Sequence, residues 1–342
     1  MVWSLIIVLG LSTAALAKYW YVPFLRNPNR INLKKFGFKL TTQQHEQRVK
    51  DILTAFFGGF NAMLSQKRMS DVRSACDKFS PLLRPFAHEG AAMGFPFKAF
   101  FSRKYKVRNF TQAMEALSSE YFLMYQIGVG FWCGMVYRSF PQLVRRTADR
   151  LHPFYKHLCY DGFGFKIGMF HYLKDPNSLS VFFKFEGYSR NVCFQGFGRS
   201  LWFLFMDSPQ SIKDSIARLS ATYRRDCYSG LGLAVTFTNM DDLRAAFEFS
   251  DEIESEYLID YFLGMTIALY TRREIDANYL NECLNKLELW QKSIVLAGLR
   301  SCDERFADVA ARFSKDQYEQ WRKSVAEDLR LIVAPRAAGA IN

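Results

Sequence analysis

The feature that most constrains the fold is a glycine that recurs every 34 residues between positions 128 and 298. In the first four copies a second glycine follows two positions later. A period of 34 residues is typical of the helix–turn–helix unit of tetratricopeptide repeats. A glycine inside a helix costs about 1 kcal/mol relative to alanine, so recurrence at one phase indicates a shared reason. We expect that reason to be close packing of neighbouring helices; coincidence in a glycine-tolerant core is the alternative. The marker glycines are Gly128, Gly162, Gly196, Gly230, Gly264 and Gly298.

These glycines lie in long apolar segments that are separated by helix-breaking residues. Segments such as 120–137 and 256–271 are long enough to favour helices over strands. Breaks follow them, as at Pro141 and Pro209, where one helix ends and the next begins. We therefore predict an all-α fold over residues 40–333, a tetratricopeptide-like solenoid of helical hairpins.

The two ends of the chain carry separate predictions. Residues 276–333 are typical of amphipathic helices without chemistry, and residues 334–342 of a flexible tail. Residues 2–17 are apolar and uncharged, whereas basic residues without any acid follow between positions 18 and 39. This asymmetry predicts a membrane anchor over residues 1–25 and a basic linker over 26–39.

The same charge asymmetry predicts where the protein resides. By the positive-inside rule the body of the protein lies on the cytoplasmic side of the inner membrane. A secretory signal that is cleaved after Ala17, with export, is one alternative. A buried or surface-lying helix is the other.

Composition and motifs exclude several classes of function. The net charge is +12, but charges of both signs are spread along the chain, so nucleic acid is not an expected partner. The seven cysteines are odd in number and include no C-x-x-C pair, so we expect no metal and a reducing compartment. There is no P-loop, G-x-G-x-x-G or G-x-S-x-G motif. We therefore expect no cofactor, and a non-enzymatic role is favoured.

A histidine–glutamate pair stands in an apolar stretch of small residues, at His88 and Glu89. Glutamate is rarely buried without a partner. Either the carboxylate forms an ion pair with an arginine, or the two side chains form an acid/base pair that lines a cavity.

Other polar residues recur at the phase of the repeat. Asp161, Gln195 and Ser229 each precede a marker glycine and are expected to form a polar ladder along one surface. Arg199 stands where the other copies carry an apolar residue, and we expect Glu89 or Asp226 to be its partner. The arginine forms either a structural salt bridge or a clamp for an anion.

Six segments together resemble one bacterial family, the UnbL-like proteins of unknown function that are encoded in enediyne polyketide gene clusters. The resemblance covers about residues 40–330, and the G-x-G-R-x-L-W-F block is its most specific part. That family often carries Tyr at position 88, His at 166 and Asp at 194, so this chain resembles a divergent member. The segments are Phe86–Gly94, Tyr125–Trp132, Asp161–Phe165, Gln195–Phe203, Arg224–Ala234 and Gln317–Arg322.

These observations leave three hypotheses of function. The first is a membrane-tethered scaffold that binds protein partners, which predicts a polar or mixed concave face. The second is binding or processing of a long polyene or acyl chain, which predicts an enclosed aromatic tunnel ending at His88, Glu89, Asp161 and Arg199. The third is a subunit of a cell-envelope complex, which predicts an exposed apolar patch and little pocket. The candidate ligand- or partner-binding residues are His88, Glu89, Gln126, Asp161, Lys166, Gln195, Arg199, Arg224 and Asp226.

Overall fold

The computed structural model describes residues 21–27, 30, 32–34, 37–102, 104–311 and 316–337. Every regular element in these ranges is a helix, which confirms the all-α class. The α-helices in chain order are α1 (Gln43–Ser65), α2 (Met69–Cys76), α3 (Arg84–Phe101), α4 (Phe110–Leu117), α5 (Phe122–Val136), α6 (Pro141–Ala148), α7 (Leu158–Ile167), α8 (Tyr188–Phe205), α9 (Pro209–Ala217), α10 (Ala221–Thr238), α11 (Arg244–Phe249), α12 (Leu258–Ile275), α13 (Ala277–Leu284), α14 (Leu289–Ala310) and α15 (Gln317–Ala337).

Long helices that carry the glycines alternate with short connecting helices from α1 to α13. The short elements begin at the breaks read from the sequence. Ser208 caps α9 by accepting a hydrogen bond from the backbone N–H of Ser211 at 3.3 Å, and Asp276 caps α13 by accepting one from the backbone N–H of Tyr279 at 2.9 Å. Between α7 and α8 the short element is a 3-10 helix, Pro176–Lys184.

The long helices run parallel to one another and touch through their backbones. On α5, Gly130 faces Cys159 and Gly134 faces Lys166 of α7, so both helices advance in the same direction. A Cβ at Gly196 would lie 2.0 Å from the carbonyl oxygen of Asp161 on α7. A Cβ at Gly198, two positions later, would lie 2.0 Å from the carbonyl oxygen of Cys227 on α10. Each Gly-x-Gly pair thus lets one helix contact both of its neighbours.

The same arrangement repeats along the row of helices. The marker glycines Gly128, Gly162, Gly230 and Gly264 face carbonyl oxygens of Glu89, Ile127, Gln195 and Ser229, at 2.3, 2.0, 1.9 and 1.8 Å from an added Cβ. Gly298 differs, because its nearest neighbour is the Thr266 side chain at 3.0 Å and no backbone atom. The close approach of helices therefore ends before α14.

Hydrogen bonds between distant parts of the chain hold the first helices against the later ones. Arg272 of α12 donates to the carbonyl oxygens of Pro81 and Leu82, at 3.1 and 3.0 Å. Asp207, just after α8, accepts from the backbone N–H groups of Thr41 and Thr42, at 2.6 and 3.2 Å. The row of long helices is thereby wound around an interior space.

The two ends of the chain differ from the expectations in part. The predicted anchor over residues 1–25 lies outside the described residues up to position 20. Among the residues that the structure does describe, no helix is long and apolar enough to span a bilayer. At the other end α15 continues to Ala337, so the predicted tail begins later than position 334.

Candidate ligand-binding cavity

A cavity of about 750 Å³ lies between α1, α3, α5, α7 and α8. Its volume falls within the range of small-molecule binding sites. Three of the long helices contribute to its walls at the same positions of the repeat. The residues three positions after a marker glycine are Phe131, Phe165 and Arg199, and those seven positions after are Met135, Met169 and Phe203. Residues three and seven positions apart share one face of a helix. The rest of the lining is Phe24, Leu25, Arg26, Asn27, Arg30, Phe38, Ile52, Leu53, Phe56, Phe57, Phe60, Phe86, Glu89, Met93, Phe97, Lys166 and Phe170.

Aromatic rings form a continuous wall along this cavity. The ring centroids of Phe56 and Phe131 are 5.4 Å apart, those of Phe131 and Phe165 are 6.1 Å apart, and those of Phe165 and Phe203 are 5.5 Å apart. The turn after α7, Gly168–Tyr172, is π-helical and carries Met169 into the lining. Such π-helical turns occur frequently at functional sites.

The cavity is open at one end and closed at the other. Met135, at the end of α5, is 40% exposed, and Arg26 and Arg30 of the N-terminal segment are also exposed. Glu89 and Arg199 are only 3% and 5% exposed. A ligand would therefore enter between the C-terminal ends of the long helices and would meet these two charged groups in the interior.

Glu89 projects from α3 into this cavity without a hydrogen-bond partner. In the described part of the chain, no group donates a hydrogen bond to its carboxyl oxygens. Burial raises its pKa to about 7, against the opposing effect of the nearby Arg199 charge, and Asp161 contributes to the increase. The carboxyl group can therefore hold or release a proton near neutral pH.

Arg199 begins a buried chain of hydrogen bonds that connects four helices, α7, α8, α10 and α15. It forms an ion pair with Asp161, whose second oxygen accepts from the side-chain amide of Gln195 at 3.0 Å. Arg322 of α15 donates to the Gln195 amide oxygen and, at 2.8 Å, to the Ser229 hydroxyl. The polar ladder at the repeat phase is thus a connected network.

The partner of Arg199 differs from the two that the sequence suggested. Neither Glu89 nor Asp226 pairs with it, because Asp161 stands on the adjacent parallel helix about one turn below and reaches the guanidinium directly. Of the remaining guanidinium nitrogens, Nε is buried and has no partner among the described residues. The guanidinium also lies over the Phe165 ring, 4.9 Å from its centroid.

Lys166 lies near the open end of the cavity. Its Nζ donates to Nε2 of His171 at 2.7 Å, and Arg138 lies 3.3 Å from the other ring nitrogen. Burial, with help from the charge of Arg138, lowers the pKa of Lys166 to about 8. Together with Arg26 and Arg30 it makes this end cationic.

His88 does not share the cavity with Glu89. Consecutive residues of an α-helix point about 100° apart, so the two side chains face different neighbours. The His88 ring stacks on Tyr121 with centroids 3.7 Å apart, and its Nδ1 lies 2.9 Å from the hydroxyl of Tyr125. Of the two alternatives, the acid/base pair is therefore absent from the described cavity, and Glu89 also forms no ion pair with an arginine among the described residues.

Three further candidates lie outside the lining. Gln126 is fully buried beside its own helix, and its amide nitrogen donates weakly to Phe122 O at 3.4 Å. Arg224 donates to the carbonyl oxygens of Leu219 and Ala217, at 3.0 and 2.8 Å, and so closes the end of α9. Asp226 accepts from Asn191 at 2.8 Å. These contacts are structural.

Arg322 is the main residue of the buried hydrogen-bond network that the sequence pattern did not reveal. It lies in the region expected to be ordinary amphipathic helix, outside the 34-residue repeat. The one sequence feature that included Arg322 was the Gln317–Arg322 segment of the family resemblance. The cationic residues Arg26 and Arg30 had been assigned only to a linker.

Comparisons with known proteins give a family without a function. The sequence model of a protein family of unknown function, DUF1702, matches residues 22–329. No curated protein and no solved structure matches the chain.

Proposed function

We propose that this chain, which belongs to the DUF1702 family of proteins of unknown function, binds an elongated apolar molecule in the cavity between α1 and α8. The observation that carries the proposal is the cavity of about 750 Å³ with aromatic and methionine walls and two buried charged side chains, Glu89 and Arg199. The resemblance to enediyne-cluster proteins favours a polyene or acyl chain.

The walls suit such a chain energetically. Each methylene group that leaves water contributes about 0.8 kcal/mol, so ten of them contribute about 8 kcal/mol before the cost of association. A ligand made only of carbon and hydrogen would leave Glu89 without a hydrogen bond. We therefore propose that the bound chain carries an oxygen function, such as a carbonyl group, at its inner end.

The two other hypotheses have less support. A protein scaffold predicts a polar concave face, and an envelope subunit predicts little pocket, whereas the interior here is apolar and roomy. The tetratricopeptide-like solenoid and the membrane anchor at the N-terminus stay proposals that accompany this function. An anchor would place the open end of the cavity close to a source of apolar ligands.

A fluorescent conjugated tetraene fatty acid, cis-parinaric acid, tests the proposal on the full chain. Met93→Trp places a larger side chain in the wall of the cavity, and Leu331→Trp places the same side chain on the exposed face of α15 as a control. We expect the wild type and Leu331→Trp to enhance the fluorescence of the fatty acid. Met93→Trp should weaken its binding at least tenfold, with a melting temperature that shows a folded protein.

An extract of the protein from its native host gives the second measurement. Mass and ultraviolet spectra should show a long-chain or conjugated molecule in the wild type and in Leu331→Trp, and less of it in Met93→Trp. Equal binding of the tetraene by all three proteins, or by none, would contradict the proposal.

A further inference from the structure

We propose that the cavity catalyses a proton shift in an unsaturated acyl thioester, with Glu89 as the group that removes and returns the proton. This inference rests on the proposed function, because the substrate is a chain bound in the same cavity. The double bond moves from between C3 and C4 to between C2 and C3, where it is conjugated with the thioester carbonyl.

The inventory of the lining limits the chemistry. Among its described residues there is no serine, threonine, cysteine, tyrosine or histidine, so no hydroxyl, thiol or imidazole is available as a nucleophile. The groups that remain deep in the cavity are one carboxyl group and one guanidinium, Glu89 and Arg199. These two groups can move a proton and stabilise a negative charge.

Glu89 has the features of a proton-transfer group. It faces the cavity, is almost fully buried, and has no hydrogen-bond partner among the described residues. A carboxyl group without a partner in an apolar cavity is costly, so its position indicates a partner that the ligand supplies. Its pKa, raised to about 7 by burial, allows both protonation states at neutral pH.

Arg199 is placed to stabilise the intermediate. Asp161 holds the guanidinium on one side through an ion pair, and the Arg199 side chain lines the cavity. The charges of Glu89 and Arg199 interact, although the two groups form no direct ion pair. A carbonyl oxygen near this guanidinium becomes negatively charged when the substrate loses its proton, and the fixed positive charge opposes that cost.

The step balances without any other reactant. The Glu89 carboxylate removes the proton from C2, and the electron pair of the C2–H bond forms a double bond between C1 and C2 as the carbonyl oxygen takes the negative charge. The electrons then return from the oxygen: a C2=C3 bond forms, the C3=C4 bond breaks, and C4 takes the proton from Glu89. No oxidant, water or metal ion is consumed.

The test uses the full chain with (Z)-3-dodecenoyl N-acetylcysteamine thioester in D₂O. Mass spectrometry and NMR follow deuterium at C2 and C4 and the appearance of the conjugated thioester. We expect turnover by the wild type and at least a hundredfold loss in Glu89→Gln, since general acid–base groups contribute about 10²–10⁴-fold. Glu186→Gln, at an exposed position between the 3-10 helix and α8, is the control and should keep the full rate.

The pH profile gives a measurement on the wild type that needs no variant. The charged groups that face Glu89 are Arg199 of α8 and Asp161 of α7, and Lys166, Arg26 and Arg30 lie at the open end. The rate should rise with pH through about 7, because only the carboxylate form removes the proton.

The outcomes separate this inference from the function on which it rests. If the wild type binds the tetraene fatty acid but leaves the thioester unchanged and free of deuterium, the proton shift is wrong and the binding function stands. Equal rates in the wild type and Glu89→Gln would also overturn it. If no tetraene binds, the binding function itself fails.

Discussion

At the scale of single residues, the cavity contains two buried charged side chains, of which one is neutralised by an ion pair and the other by holding a proton. Arg199 has a fixed partner in Asp161, and the network continues through Gln195 to Arg322. Glu89 has no such partner among the described residues and adapts by holding its proton more tightly. One group is a permanent charge, and the other changes its charge near neutral pH.

The raised pKa of Glu89 makes stability depend on pH. The folded state holds the proton up to about pH 7, whereas the unfolded state loses it near 4.5. The contribution is therefore fully present below pH 4.5 and is lost as the pH rises through 7, a change of up to about 3 kcal/mol. Asp226 also has a raised pKa, so the difference between wild type and Glu89→Gln isolates this residue. Urea unfolding should show Glu89→Gln gaining relative to the wild type between pH 5 and pH 8; a constant difference would contradict the burial of the carboxyl group.

The ion pair gives a second prediction. Asp161→Asn leaves the Arg199 guanidinium buried without a counter-charge, and this should cost about 3–5 kcal/mol in the free energy of unfolding. The double variant Asp161→Asn, Arg199→Met removes the charge as well and should recover most of the loss. Denaturant unfolding of the four proteins measures this cycle. Additive losses would mean that the two side chains do not depend on each other.

The buried network was predictable from the sequence where the repeat governs its residues. Asp161, Gln195 and Ser229 share one phase, and their side chains do lie in one network. The periodic pattern carries no information on Arg322, which reaches Gln195 from 127 positions away. Of the adjacent residues Glu89 and His88, only Glu89 lines the cavity, because neighbours on a helix face different directions.

At the scale of helices, the glycines determine how closely the long helices approach. An added Cβ at Gly196 would lie 2.0 Å from the Asp161 carbonyl oxygen, a distance that only backbone separation can relieve. The sequence was sufficient to predict this close packing, because the period of 34 residues could be counted directly. It could not predict that the long helices are parallel, since this depends on how each short helix turns the chain.

Alanine substitutions test this packing. Gly196→Ala should destabilise the protein by about 3 kcal/mol, the upper part of the range for overpacking, because the added methyl group meets backbone. Gly298→Ala is the matched control, because its new methyl group meets only side chains, Thr266 at 3.0 Å and Leu329 at 3.6 Å, and the helix gains propensity of about 1 kcal/mol. Its melting temperature should stay close to that of the wild type. Similar losses in both variants would argue against backbone contact as the reason for the repeat.

At the scale of the whole molecule, a buried arginine joins the last helices of the row to the first. Arg272 donates to Pro81, Leu82 and, at 2.8 Å, to the carbonyl oxygen of Phe237, over whose ring it also lies at 3.8 Å. Burial lowers its pKa to about 10, a value at which it is still charged. Two of these contacts join residues that are far apart in the chain, and the 34-residue period carries no information on such pairs. The closed interior was therefore not predictable from the repeat.

Arg272→Met should therefore loosen the whole fold. Three carbonyl oxygens lose their donor, and we expect a loss of about 3 kcal/mol or more in the free energy of unfolding. Arg244→Met, at an exposed pair with Asp242, should change it by less than about 1 kcal/mol. Thermal unfolding with the tetraene fatty acid bound and unbound measures both effects. A loss confined to α12, with the cavity unaffected, would contradict the joining role of Arg272.

The backbone contacts between glycines and carbonyl oxygens have a geometric consequence for the cavity. The spacing of the helices is set by contacts of backbone atoms, which are the same whatever side chains line the cavity. Substitutions at the lining positions therefore change the width of the cavity without changing the arrangement of the helices around it. The spacing of the helices is thus independent of the side chains that line the cavity. Selection between slender and bulky chains then depends on the side chains three and seven positions after Gly128, Gly162 and Gly196.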